Sequence, residues 1–147
     1  MLKLNRIVDY GILALTEIAR RDACVSTTEL AAAFGISATI VAKVLKKLAR
    51  AGLVTSERGS RGGYRLAQPA GEVTLRAIVN ALEGPISLTF CSSGTSSGRC
   101  RTRPLCVATD AMRRLNLLVN EAFEAVSLED ILHAPVQPNP AVAGAAP

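Results

Sequence analysis

The fold is decided by residues 37–66, which have the sequence SATIVAKVLKKLARAGLVTSERGSRGGYRL. The first half of this stretch places four apolar residues at helical spacing: Val41, Val44, Leu45 and Leu48. This spacing predicts an amphipathic helix that Ser37 caps and Gly52 ends. Two short strands are predicted to follow, at residues 53–57 and 64–66. A helix followed directly by a β-hairpin is typical of a winged helix-turn-helix.

The connection between the two strands, residues 58–63, has the sequence RGSRGG. Its three glycines permit positive φ angles and a close approach of the backbone to another molecule. Arg58 and Arg61 supply charges that suit phosphates or a DNA groove. A plain glycine-rich turn is the alternative, but it would explain the glycines and not the arginines. The connection is therefore predicted to be a wing.

The residues before this stretch complete the helix-turn-helix. Residues 4–20 have an apolar face at helical spacing. Ser26 and Glu29 form a capping-box pattern that opens a second helix, which Gly35 ends. The third helix is then the recognition helix, and its predicted outward residues are Thr39, Ala42, Lys43, Lys46 and Arg50. The predicted fold class is mainly α with a small β-hairpin wing, followed by a long C-terminal dimerisation helix.

The basic residues of the chain are concentrated in the same segment. Between Ser37 and Arg65 there are seven Lys or Arg residues and one acidic residue, Glu57, whereas the whole chain of 147 residues has a net charge of +5. Such a run is often only a solvated face, but its confinement to the helix and hairpin favours contact with the phosphates of double-stranded operator DNA. The predicted DNA-binding residues are Ser37, Thr39, Lys43, Lys46, Arg50, Arg58, Arg61 and Arg65.

Three of the four cysteines belong to one polar stretch beyond the wing. Cys91 and Cys100 lie within residues 86–105, which have no hydrophobic periodicity, and Cys106 follows directly. Thiols clustered in a loop that is too polar to pack are metal ligands or redox groups. Cys24 stands apart, near the end of the first helix, and is interpreted as an ordinary buried cysteine.

Several kinds of thiol chemistry suit this trio. Three thiolates with one harder oxygen ligand are typical of an iron–sulfur cluster that is labile at one iron. Zinc is an alternative, although structural zinc sites usually contain a CxxC pair, which this loop lacks. A metal-free disulfide switch would leave one cysteine over. His133, the only histidine, is interpreted as a solvent-facing residue at a helix end.

Two longer helices and one short helix are predicted around the cysteine loop. Thr74 opens a helix that Gly84 ends, and a long helix runs from Cys106 to about Val126. The long helix has a heptad seam formed by Ala108, Met112, Leu115, Val119, Ala122 and Val126. The seam predicts a dimer interface, with packing on the helix's own domain as the alternative. Leu118 and Phe123 are predicted to pack on that domain, and a second capping box, Ser127 and Asp130, opens a short helix through His133.

The chain is expected to be divided into four segments. Residues 1–84 form the DNA-binding domain, 85–106 the cysteine loop, 107–133 the dimerisation and terminal helices, and 134–147 a disordered tail. No signal-peptide pattern and no stretch near the roughly 20 apolar residues of a membrane helix occur, so a cytoplasmic location is expected. Neither a nucleophile with a base nor a phosphate loop is found, so no enzyme activity and no small-molecule substrate are expected.

These segments together resemble the iron–sulfur-sensing winged-helix regulators of the IscR and NsrR kind, particularly the branch that controls the SUF iron–sulfur assembly system. The similarity extends from Met1 to about Leu132 and is carried by VDYG at residues 8–11, KKL at 46–48, AGLV at 51–54, RGGYRL at 61–66 and ALEGP at 81–85.

The resemblance implies a homodimer joined by the long helix, operator DNA as partner, and repression of SUF genes. It also implies an iron–sulfur cluster on Cys91, Cys100 and Cys106, with 2Fe–2S preferred over 4Fe–4S. The alternatives are a nitric-oxide or redox-sensing repressor of other operons, and a metal-free or zinc-bound winged-helix protein.

The chain departs from that pattern at three places. Eight residues separate Cys91 from Cys100, which is more than is common in the family. Thr109 stands where the IscR kind has a histidine ligand, and Ala42 replaces a glutamate used for operator discrimination. Asp9 matches the aspartate that the NsrR kind takes from the partner subunit, so it is the predicted fourth ligand. The alternatives for that ligand are Asn5, Thr109, Asp110 and a solvent molecule.

Overall fold

The protein is mainly helical, and its computed structural model describes residues 4–59, 62–89 and 106–134. The helices are α1 (Arg6–Arg21), α2 (Thr27–Phe34), α3 (Ala38–Arg50), α4 (Leu75–Glu83), α5 (Thr109–Glu124) and α6 (Leu128–His133). The strands are β1 (Val54–Glu57) and β2 (Gly63–Leu66), and a 3₁₀ turn, Ala70–Glu72, precedes α4. The predicted fold class, a mainly helical winged helix-turn-helix with a small hairpin and a long C-terminal helix, is confirmed.

Side-chain caps are present at three of the six described helix starts, those of α2, α4 and α6. The Ser26 hydroxyl accepts the backbone N–H of Glu29 at 3.2 Å, and the Glu29 carboxylate accepts the N–H of Ser26 at 2.8 Å. Ser127 and Asp130 form the same reciprocal pair before α6. Ser37 differs, because its side chain makes no capping hydrogen bond and its carbonyl alone accepts the N–H of Val41 at 3.1 Å. Ser37 therefore occupies the predicted N-cap position, but it caps the helix through its carbonyl and without a side-chain hydrogen bond.

Helix α1 lies at the centre of the fold and contacts α3, α4, α6 and β2. Val8, Leu15 and Ile18 of α1 are buried in one core with the apolar faces of α3 and α4. Gly11 faces α4, and a Cβ at this position would overlap the side chain of Leu82. The glycine therefore lets α1 and α4 approach closely.

The hairpin is fixed to the helices by backbone pairing. β1 and β2 are antiparallel, with Val54 opposite Leu66 and Glu57 opposite Gly63. The segment between α1 and α2 joins them, because Val25 and Tyr64 exchange two backbone hydrogen bonds of 2.9 Å. A Cβ on Gly63 would lie 2.6 Å from the Val25 carbonyl. Only glycine fits this approach, which positions the wing beside the helix-turn-helix.

The C-terminal helices return to the same core. The N–H of Leu75 donates to the carbonyl of Val126 at 2.7 Å, and the N–H of Leu128 donates to the carbonyl of Val73 at 2.8 Å. Leu128 is fully buried in the core. Among the described residues, no helix is both long and apolar enough to cross a membrane. The predicted tail, apart from Ala134, lies outside the described residues.

Candidate DNA interface and cysteine site

The outward face of α3 is basic. Thr39, Lys43, Lys46 and Arg50 are exposed, as is Ser37 at the start of the helix. None of the ion pairs between described residues includes Lys43, Lys46 or Arg50. Their charges therefore face solvent without a protein counter-charge, as a surface that neutralises DNA phosphates requires.

Lys47 is directed away from this face. Its Nζ donates to the Leu82 carbonyl in the last turn of α4, at 2.6 Å. A cation that satisfies a carbonyl near a helix C-terminus is favoured by the partial negative charge there. Lys47 thus links α3 to α4, and its charge does not belong to the exposed basic face.

The arginines of the wing differ in their surroundings. Arg58 is exposed at the end of β1, whereas Arg61 lies outside the described residues. Arg65 forms an ion pair with Glu57 across the hairpin, with Nε 3.1 Å from the carboxylate oxygen. Both side chains are half exposed. The one acidic residue of the basic segment thus partly neutralises a predicted DNA-binding arginine.

The cysteine segment is described only at its two ends. Cys106 is an exposed free thiol directly before α5, while Cys91 and Cys100 lie outside the described residues. The hydroxyl of Thr109 donates to the Cys106 carbonyl at 3.2 Å. Within the described ranges, no three His, Cys, Asp or Glu side chains are grouped closely enough to hold a metal ion.

Two asparagines of α5 hold the chain just before Cys91. The side-chain oxygen of Asn116 accepts the N–H of Leu88 at 3.0 Å, and Asn120 Nδ2 donates to the Ile86 carbonyl at 3.2 Å. Neither asparagine is among the functional residues predicted from the sequence. Their signal is an Asn pair four residues apart on an amphipathic helix, where Asn is otherwise unfavourable.

Asp9, the predicted fourth ligand, is exposed on the first turns of α1. It lines a surface cavity of about 590 Å³ together with Leu4, Asn5 and Arg6. The carboxylate is therefore accessible to a second molecule. This placement suits a ligand that is donated across a subunit interface.

Cys24 has different surroundings from the other thiols. It is half-buried between α1 and α2, and not fully buried as predicted, because it neighbours the exposed Glu57 and Arg65 pair of the wing. Partial burial raises the pKa of the Cys24 thiol, and the nearby Glu57 carboxylate raises this pKa further, whereas Arg65 lowers it. Since the thiolate is the metal ligand, Cys24 is poorly suited to bind a metal.

Helix α5 presents one face to its own domain and another to solvent. Phe123 packs against the core as predicted, and Asn116 and Asn120 lie on the same side. Leu118 is 61% exposed, so the prediction that it packs on the domain is wrong. It lies about half a turn around the helix from the side that the asparagines occupy, and the exposed apolar residues beside it at heptad spacing are Ala111, Leu115 and Ala122.

The exposed apolar face of α5 is therefore rotated around the helix axis relative to the predicted dimer seam. Met112 and Val119 of that seam are half-buried, whereas Leu115 is 44% exposed. Among the described residues, the exposed apolar stripe therefore runs along positions 111, 115, 118 and 122. His133 is exposed at the end of α6, with Nδ1 2.9 Å from the Glu129 carbonyl oxygen, in agreement with a helix-end role.

The helix-turn-helix, its basic outward face and the attached hairpin define a winged-helix DNA-binding protein. The model of the Rrf2 family, described as an iron-dependent transcriptional regulator, matches residues 4–134. The chain belongs to the Rrf2 family, whose members are transcriptional regulators and not enzymes.

Solved structures agree with this assignment. The chain is 27% identical to CymR (YrzC), the global cysteine regulator of B. subtilis, with a TM-score of 0.70 over 90% of this chain and 97% of that chain. It is 26% identical to IscR of T. potens, with a TM-score of 0.66 over 89% and 86% of the two chains. Staphylococcus aureus CymR shares the fold, with 22% identity and a TM-score of 0.65. The match covers 90% of this chain and 100% of that chain.

Proposed function

We propose that this DNA-binding regulator is a homodimeric repressor whose operator affinity depends on an iron–sulfur cluster. The observation that carries the proposal is the attachment of the cysteine segment to α5. Leu88, which precedes the cysteines, donates its N–H to Asn116, and Asn116 lies about two helical turns from Thr109, the first residue of α5. Cys106 lies three residues before Thr109. The described residues on the two sides of the cysteine segment are therefore both placed near the first half of α5.

The donor set suits such a cluster. Cys91, Cys100 and Cys106 would bind it, and Asp9 of the partner subunit would complete it. Cys106 is exposed and free, and Asp9 is exposed, so neither is committed to another contact that the described residues show. A cluster supplies redox sensitivity and ligand lability to a regulator that binds it.

The cysteine assignments can be tested by absorbance. Protein purified without oxygen is expected to show visible iron–sulfur absorbance, and alanine at Cys91, Cys100 or Cys106 should abolish it. Cys24→Ala is the matched control and should keep the spectrum. Colourless wild-type protein with stoichiometric zinc would contradict the proposal. An Asp9→Ala protein with an unchanged spectrum and an unchanged cluster lifetime in oxygen would exclude Asp9 as ligand.

The proposed DNA contacts are the outward residues of α3 and the wing. Lys46→Ala should lower the slope of log affinity against log salt by about 0.9, because one phosphate contact is lost. Arg58→Ala should weaken binding by about 1 to 3 kcal/mol if the side chain contacts a base edge. Arg113→Ala, an exposed charge on α5, is the control and should leave the slope unchanged.

The proposed target genes are those of the SUF assembly system, in keeping with the resemblance of residues 8–11, 61–66 and 81–85 to that branch. Deletion of the gene should raise SUF transcripts in iron-replete cells. A second candidate is a thiol-based redox regulator without a cluster. It is favoured by the similarity to CymR, a global cysteine regulator, and it predicts reversible oxidation of Cys106 in place of visible absorbance.

A further inference from the structure

A shallow groove of about 590 Å³ lies where the start of α2 meets the outward face of α3. Six residues line it: Thr27, Ala38, Thr39, Ala42, Lys43 and Lys46. All five α3 residues of this set are exposed. The first turns of α3 thus present methyl groups, and two lysines border them on the C-terminal side.

The chemistry of α3 restricts which bases it can recognise. The helix, Ala38–Arg50, contains no Asp, Glu, Asn or Gln. Adenine is bound in the major groove through bidentate Asn or Gln, and cytosine through Asp or Glu. Lysine binds the O6 and N7 atoms of guanine, and the methyl groups of Ala or Thr contact the thymine methyl. The lysines and methyl groups of α3 are therefore suited to guanine and thymine, whereas the Thr39 hydroxyl can bind more than one kind of base.

Position along the helix assigns these contacts. Recognition helices contact base edges with their N-terminal residues. In α3 these are Thr39 and Ala42, which line the groove and each carry a methyl group, with Lys43 and Lys46 beyond them. Next to a polar base edge, the methyl groups of Thr39 and Ala42 would stay in contact with water. Next to a thymine, the 5-methyl group of the base would bury their apolar surface.

We propose that Thr39 and Ala42 determine operator specificity by contacting the 5-methyl groups of thymines in each half-site, and that Lys43 or Lys46 binds an adjacent guanine. This inference rests on the proposed use of α3 as the recognition helix. The part of the DNA that α3 would recognise is a thymine methyl in the major groove, next to the N7 and O6 atoms of a guanine.

The first test is selection from random duplexes by the full-length protein purified without oxygen. One library is amplified with dTTP and the other with dUTP, which removes only the thymine methyl. We expect a motif in the dTTP library with thymine beside guanine in each half-site, and loss of the thymine preference in the dUTP library. The same thymine positions enriched in both libraries would overturn the inference.

The second test combines protein and DNA substitutions on one selected duplex. Replacing one half-site thymine by deoxyuridine should weaken wild-type binding about fourfold, the effect of one buried methyl group. Thr39→Ser, which removes only a methyl, should weaken binding to the thymine duplex about fourfold. At one thymine position, this variant should bind the thymine and deoxyuridine duplexes with equal affinity. Thr39→Val, which keeps a methyl, should retain that sensitivity.

Ala42→Gly should lose the sensitivity at a second thymine, and Ala32→Gly, an exposed alanine of α2, is its control for the helix cost of glycine. Additive effects of all protein and DNA substitutions would contradict the methyl contacts. No enriched motif in the dTTP library would overturn the recognition role of α3 itself, which separates failure of the proposed function from failure of this inference.

Discussion

Single residues explain why several motifs of the sequence have the form they do. Gly11 and Gly63 stand where their backbone meets another segment closely, at the side chain of Leu82 and at the Val25 carbonyl. The sequence predicted a wing from the glycines of residues 58–63, but it attributed them to turn geometry and ligand approach. The structure shows that Gly63 is needed for packing on the α1–α2 connection. No local pattern could reveal that contact, because Val25 is distant in sequence.

Other residue roles could not be predicted for the same reason. Lys47 belongs to a run of basic residues, and only the position of α4 shows that its ammonium group binds the Leu82 carbonyl. Arg65 was predicted to contact DNA, and its ion pair with Glu57 depends on the register of the hairpin. Charge counts alone cannot distinguish these cases.

The Arg65–Glu57 ion pair yields a prediction. Glu57→Gln removes the one acidic side chain of the basic segment and frees Arg65, so affinity for a random-sequence duplex should rise about two- to fivefold at low salt. The gain should shrink as salt is added. Fluorescence anisotropy measures it, with Glu72→Gln, an exposed glutamate outside the segment, as control. Equal gains in both variants would show that only net charge matters.

At the scale of elements, the capping boxes were the most predictable features, because all their donors and acceptors are local. The boxes at Ser26–Glu29 and Ser127–Asp130 and the Thr74 cap, which accepts the N–H of Ala77 at 3.2 Å, are present as predicted. The face of α5 was less predictable. Its period was correct, but the two asparagines that anchor residues 86–88 turn the helix so that Leu118 faces solvent.

The capping boxes predict a pH dependence of stability. Hydrogen bonds from the Ser26 side chain and backbone hold the pKa of Glu29 below its ordinary value of 4.5, and Ser127 lowers the pKa of Asp130 in the same way. A carboxylate with a lowered folded-state pKa stabilises the fold above the unfolded value, and this contribution is lost as the pH falls through the folded value. Thermal stability should therefore decline below about pH 4.5.

Glu29→Gln keeps a capping oxygen that does not titrate, so it should reduce the acid-dependent component of the change in Tm. Circular dichroism melts at neutral and acid pH measure this difference. Glu121→Gln, an exposed glutamate in the last turn of α5, is the control. An acid decline that is identical in wild type and Glu29→Gln would contradict the role of this capping box.

The exposed stripe of α5 predicts a specific pair of variants. Leu117 and Leu118 are both 61% exposed, but only Leu118 lies on the stripe with Leu115. Leu118→Glu places a charge in the proposed helix pair and should give a monomer in sedimentation. Leu117→Glu makes the same change on another face and should leave the dimer intact. Two dimeric variants would show that the interface lies elsewhere.

At the scale of the whole molecule, the described contacts connect the chain before the cysteine segment to α3, the proposed recognition helix. α3 is joined to the end of α4 by Lys47, and residues 86–88, which follow α4, are joined to α5 by Asn116 and Asn120. Cys91 follows that segment and Cys106 begins the approach to α5. A ligand bound between these cysteines can bias DNA binding only through different interactions with two conformations of this connection.

The most direct test of cluster-dependent DNA binding is one affinity comparison. The same selected duplex is titrated with cluster-loaded protein and with protein stripped by a chelator, both handled without oxygen, and Kd is measured at fixed salt. We expect the cluster-loaded dimer to bind at least about tenfold more tightly, which corresponds to a coupling free energy of about 1.4 kcal/mol. Equal Kd values for the two forms would contradict the account and leave a DNA-binding regulator whose cysteines do not control it.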